Sequence, residues 1–107
     1  MINSVVLVGR LTAAPELRYT TNGNAVATFT LAVDRNYTGQ NDKETDFIRI
    51  VAWRKLAEVV ANNLDKGRLV AVEGRIQVQQ YQTDGGEKRQ AFEVVANNVR
   101  FLDRPKE

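Results

Sequence analysis

Phe47, Arg49, Val51 and Trp53 stand at alternate positions of the segment DFIRIVAWRK, so in an extended strand two aromatic rings and a guanidinium share one face. Ile48, Ile50 and Ala52 take the other face, which reads as a plain aliphatic core surface. A second such face follows later in the chain, where Arg75, Gln77, Gln79 and Tyr81 alternate in the same way. Rings on an otherwise polar face suit the stacking of unpaired bases, worth roughly 1–3 kcal/mol per base whatever the base identity. Arginines and lysines between the rings would hold phosphates, and such binding weakens as salt rises. Spacing alone fits an oligomer interface, or a second core under a helix, equally well, because large apolar residues are usually buried. Tyr81 argues against that reading because its neighbours on the face are polar. Tyr37 falls on the core side by strict alternation and reaches solvent only at a bulge or a strand end.

Other chemistries are bounded by what is missing. The 107 residues contain no cysteine and no histidine, which removes disulfides, thiolate nucleophiles, Cys/His zinc sites and Ser-His catalysis. The acidic trio Asp42, Glu44 and Asp46 has no neighbouring ligands and reads as a solvated turn, and DGGEK as turn chemistry. No metal and no cofactor are expected. The N-terminal residues show no basic region and an apolar run too short for a leader or a span, so a cytoplasmic, nucleoid-associated protein without a membrane partner is expected. Composition is that of an ordinary globular domain, 43% hydrophobic and 26% charged, and a net charge of +2 does not itself announce a polyanion partner. The cations cluster around the helix start and the loops, at Arg35, Lys43, Arg54, Lys55, Lys66, Arg68, Lys88 and Arg89.

The elements that must position these residues are mostly strands. Alternation predicts strands over Ser4–Thr12, Ala25–Arg35, Asp46–Lys55, Arg68–Tyr81 and Arg89–Leu102, the fourth with Val70, Val72, Ile76 and Val78 turned inward. Leu56, Val59, Val60, Asn63 and Leu64 recur at helical spacing, with Lys66 in the last turn and Gly67 as its left-handed stop. Thr20–Asn24, Thr38–Glu44 and Thr83–Glu87 connect them, the last as a hairpin loop. Five strands with one α-helix between the third and fourth predict an all-β chain of the OB type, a small closed barrel forming a single domain over 1–107, with 103–107 a short flexible end. The first strand is apolar on both faces, Val5 and Leu7 on one and Val6 and Val8 on the other. It needs cover from a partner subunit, or from the helix or a long loop.

Three stretches, NSVVLVGRLTAAPELRYTTNGNAVATFTLAVDR, WRKLAEVVANNLDKGRLVAVEGRIQ and EVVANNVRFLD, resemble in order and spacing the bacterial and phage single-stranded DNA-binding protein family over essentially the whole chain. The resemblance implies a non-enzymatic OB-fold subunit that assembles as a homotetramer. It would wrap single-stranded DNA without sequence preference in replication, recombination or repair. It places the stacking aromatics at Tyr37, Phe47, Trp53 and Tyr81 and phosphate contacts at Arg49, Lys55, Lys66 and Arg89, beside Arg75 from the alternation above. Arg10, Arg35, Lys43, Arg54 and Lys88 are further phosphate candidates. Where many members carry a basic run before the last aromatic, this chain has Gln77, Val78, Gln79 and Gln80, which should flatten the salt dependence. Members usually continue into a flexible linker with an acidic tip that recruits enzymes. This chain closes on Arg104-Pro-Lys-Glu107, so recruitment through such a tail is not expected. Two other classes stay open on the residues alone: an OB protein-interaction module of a primosome-like complex, and a nuclease built on NDKETD.

Overall fold

The computed structural model describes residues 1–35 and 44–103. In chain order they form β1 (Val5–Leu11), β2 (Glu16–Tyr19), β3 (Ala25–Asp34), β4 (Thr45–Trp53), α1 (Arg54–Asn63), β5 (Leu69–Gln82) and β6 (Lys88–Phe101). The sheet order is β1-β5-β6-β4-β3-β2, and an additional β1–β3 pairing closes β1, β5, β6, β4 and β3 into a ring. This is the expected OB-type arrangement, with the helix between the third and fourth strands of the ring. Every pairing is antiparallel except β4–β6.

Closure depends on Gly9. Strand β1 runs beside β5 from Val5 to Arg10 and meets β3 at Arg10↔Ala32 and Leu11↔Leu31. A Cβ at Gly9 would lie 2.3 Å from the Ala32 carbonyl oxygen, so the two backbones approach this closely only with no side chain there.

Inside the ring Leu31, Ile50, Val60, Val70, Val72 and Val94 are wholly buried, with Leu11, Ala27, Phe29 and Ala52 packed among them. Each buried aliphatic side chain contributes about 1.5–3 kcal/mol relative to exposure. Ile48, Ile50 and Ala52 do face this core, as alternation predicts.

Four local expectations change. Strand β2 was not expected. It is a short strand after Pro15 with only Leu17 turned to the core, too brief for alternation to register, and TTNGN is the β2–β3 hairpin turn, held by Thr20 N–H to Asn24 O at 2.9 Å. The helix buries Ala57 and Val60, and Leu64 is buried just past its end, while Val59 is 40% exposed and Asn63 faces solvent. Its apolar stripe is thus rotated from the expected one, since alanine carries a weak signal beside leucine and valine.

The helix also ends at Asn63, with Leu64 already extended (φ −107°, ψ 152°), so Lys66 lies beyond it. Gly67 (φ 86°) serves the following turn, its N–H donating to Leu11 O at 2.8 Å and docking that turn on β1. Finally, Ile76 and Val78 are 44% and 56% exposed rather than inward. Strand β1 stops opposite Gly74 and β4 leaves β6 at Val94, the partner of Ile76, so past that pair β5 and β6 continue as a two-stranded arm, with the Asn3 side chain bonded to the Ile76 backbone at 2.8 and 2.9 Å.

At the other end of β6, Asp103 is tied down. Its carboxylate accepts from Arg68 Nε at 2.9 Å and from the Leu69 N–H at 3.2 Å. Arg68 holds that carboxyl below its ordinary range by this hydrogen bond, against the opposing effect of desolvation. Val5 and Leu7 pack on the core, whereas Val6 and Val8 stay 64% and 50% exposed, so neither the helix nor a described loop covers the outer face of β1.

Candidate nucleic-acid interface

Strand β4 presents the predicted ladder outward. Phe47 is 68% exposed and Trp53 43%, with the Arg49 side chain between them. Val51 has the same parity yet is buried, and it pairs in register with Val95, also buried; neither belongs to the barrel core. Val51 floors a groove of about 430 Å³, walled by Trp53, Arg49, Thr28, Arg18, Gln79 and Glu93 among others. Its surfaces come from β5, β6, β4, β3 and β2, which are consecutive neighbours in the sheet. A planar base fits such a groove, with a ring beside it and polar groups around its edges.

The arm carries the second part. Tyr81, half-exposed, is directly across from Arg89 in the β5–β6 register, and Tyr81 and Lys88 line a shallow hollow with Gln80 and Gln82. Arg75, Gln77, Gln79 and Tyr81 lie on one side of the arm, as alternation predicts. Val78 faces Phe92 on the other side, where both are exposed.

The expected phosphate contacts divide by whether a carboxylate already holds them. Arg49 Nε donates to Glu93 Oε2 at 3.3 Å, and Arg89 pairs with Glu87 at 2.8 Å. Arg10 donates to Gly67 O at 2.9 Å and lies 3.5 Å from Asp103. Arg35 is bound to Asp46 at 2.9 Å and to Glu44; the hydrogen bond to Asp46 raises the Arg35 pKa and in turn lowers that of Asp46.

Arg75 donates to Gln77 at 3.2 Å. Arg54, Lys55, Lys66 and Lys88 are exposed and in no ion pair among the described residues. Arg54 opens the helix at φ 57°, an uncommon conformation for a residue with a side chain, directly after Trp53. Tyr37 and Lys43 lie outside the described residues.

Sequence reasoning missed Glu93. It is 8% exposed on the outer face of β6, accepting from both Arg49 and Gln79 (Nε2 to Oε1, 2.9 Å). Its parity opposite Val94 was readable, but the register that sets it beside Arg49 was not. Of the acidic trio, Glu44 and Asp46 are spent on Arg35 and Asp42 lies outside the described residues. No group of three or more metal-binding side chains occurs among the described residues, and no helix there is long and apolar enough to cross a membrane.

A sequence model of the single-strand binding protein family matches residues 2–102. The chain is 56% identical over 104 residues to a single-stranded DNA-binding protein of Caldanaerobacter subterraneus subsp. tengcongensis, covering 96% of this chain and 69% of that one. It is 57% identical over 104 residues to that of Enterococcus faecalis, again over 96% of this chain but only 55% of the relative. Single-stranded DNA-binding protein A of Bacillus subtilis is 56% identical over 104 residues, 96% of this chain and 60% of its own length. The chain therefore spans little more than half to two thirds of the length of these curated relatives.

Proposed function

Since the chain belongs to the single-strand binding protein family, we propose that it binds single-stranded DNA without sequence preference and protects it during replication, recombination or repair. The observation that carries this reading is the outer face of β4, where Phe47 and Trp53 stand exposed on either side of Arg49 over a preformed groove. Bases stack on Phe47, Trp53 and Tyr81, with Tyr37 as a fourth platform on the family resemblance. Phosphates meet Lys55, Lys66, Arg75 and Arg89, with Arg10, Arg35, Lys43, Arg54 and Lys88 as further contacts. The action is passive. Rings hold the bases that a complementary strand would pair with, cations hold the phosphates in place of counterions, and no covalent bond is made or broken.

The working unit is a homo-oligomer, a tetramer in this reading, held in part through the outer face of β1. Val6 and Val8 there form an apolar surface with no cover within the chain. Several subunits on one strand multiply the effective concentration of each site. A cytoplasmic, nucleoid-associated setting goes with this role.

The test is titration with oligo-dT at low and high salt, followed through the single tryptophan, with light scattering for the assembly. Trp53→Ala is followed through a labelled oligonucleotide. Quenching that salt reverses, with weaker binding by Trp53→Ala, is expected. Assembly without any binding would favour the protein-interaction reading, and cleavage of labelled DNA with Mg²⁺ the nuclease.

A further inference from the structure

Glu93 is the one buried charged side chain among the described residues, and it lies within the face that would receive a polyanion. A carboxylate in that place opposes phosphate binding unless it serves another group. Both its oxygens are engaged, Oε2 by Arg49 Nε at 3.3 Å and Oε1 by Gln79 Nε2 at 2.9 Å. The partners differ sharply in exposure: the Arg49 side chain is 62% accessible and that of Glu93 only 10%. The guanidinium therefore lies over the carboxylate, bound through Nε, and its terminal nitrogens have no protein partner among the described residues. The other charges lining the groove do not compete, because Arg18 and Glu16 pair with each other.

We infer that Glu93 is a positioning residue and resident counter-ion for Arg49. It grips the guanidinium by one edge so that the terminal N–H fork faces the bound strand, the geometry that suits a phosphate. It also cancels much of the charge that Arg49 would otherwise bring. Arg49 then contributes direction more than attraction, and the centre of the face binds bases with little salt dependence. This inference rests on the single-strand-binding reading above.

Glu93→Gln keeps the shape and an acceptor oxygen while removing the charge. Wild type and Glu93→Gln are titrated with a short fluorescein-labelled oligo-dT by anisotropy across a series of salt concentrations. One charge removed some 6 Å from a phosphate in water-like surroundings predicts roughly threefold tighter binding by the variant. The plot of log affinity against log salt should steepen by about 0.7, one more effective cation on a single strand. Equal or weaker binding with an unchanged slope overturns the inference while leaving the DNA reading intact. Failure of the wild type to bind overturns both.

A second measurement does not depend on how the variant folds. In wild-type protein the Arg49 Nε–H resonance, assigned by its loss in Arg49→Gln, should exchange with solvent more slowly than that of the unpaired Arg54 and stay slow when oligo-dT is added. Exchange as fast as that of Arg54 overturns the tether.

Discussion

Phe47→Ala separates binding from folding better than any other change on the proposed interface. The ring is 68% exposed, so only about a third of it is covered by its own chain. Taking roughly 200 Å² for a phenylalanine and 25 cal/mol per Å², truncation costs at most about 1.7 kcal/mol of stability. The variant should therefore remain folded. If a base stacks on that ring, its loss removes roughly 1–3 kcal/mol of binding free energy, a rise in Kd of roughly 5- to 150-fold. Trp53, the only tryptophan, survives as the fluorescent reporter, so quenching by oligo-dT reads wild type and variant alike. The oligonucleotide should be short enough to engage one subunit, because several subunits on one strand would mask the loss. Phe47→Trp should restore or exceed wild-type affinity, since the larger ring stacks at least as well. A Kd for Phe47→Ala within twofold of wild type, with an intact circular dichroism spectrum, would refute the stacking role of Phe47.

Gly9→Ala should lower the urea midpoint by an amount equivalent to about 1–3 kcal/mol or more, since its Cβ would meet the Ala32 carbonyl at 2.3 Å; an unchanged midpoint would show that the ring closes another way. Asp103 has a depressed pKa in the folded chain, so its contribution is present above the ordinary aspartate range and lost as pH falls through the folded value. Asp103→Asn should accordingly melt below wild type at neutral pH, and the two melting curves should converge in acid; a constant gap down to low pH would contradict the ion pair. Val8→Asp, on the half-exposed outer face of β1, should reduce the assembly mass in light scattering while the circular dichroism spectrum persists, and an unaltered mass would move the subunit contact elsewhere.

What the sequence showed of this fold followed from how strongly each segment's pattern was tied to burial. The two faces of β4 were legible because Ile48, Ile50 and Ala52 fill a core while Phe47, Arg49 and Trp53 do not, and period-2 alternation records that contrast directly. The same rule misled on β5. Ile76 and Val78 keep the alternation of Val70 and Val72, but β1 stops opposite Gly74 and the sheet narrows to two strands past Ile76, so both side chains stay exposed among the described residues. Alternation reports which side a residue takes, not whether anything lies above it. The helix face shifted because Ala57 packs fully while contributing little hydrophobic signal. The groove was beyond reach for a different reason: it joins Arg18, Thr28, Trp53, Gln79 and Glu93 from five strands, and only the register between strands brings such distant positions together.

Charge shows the same dependence on placement. Fifteen basic and thirteen acidic residues leave a total of +2, too little to suggest a nucleic-acid partner. The pairing explains how so small an excess can still serve one. Arg10, Arg35, Arg49 and Arg89 each lie against a carboxylate, so they are held in place and largely neutralised. Arg54, Lys55, Lys66 and Lys88 remain unpaired among the described residues, two at the start of the helix beside Trp53, one in the turn after it, and one beside Tyr81. On the proposed reading, pinned guanidiniums would supply direction and free cations attraction, with Arg49 sharing the groove with Trp53 and Lys88 the hollow with Tyr81. With few free charges and three exposed rings, affinity on this face should come more from stacking than from counterion release. A binder built this way would hold any sequence, because every base offers a ring face and none of the free cations needs a particular base edge.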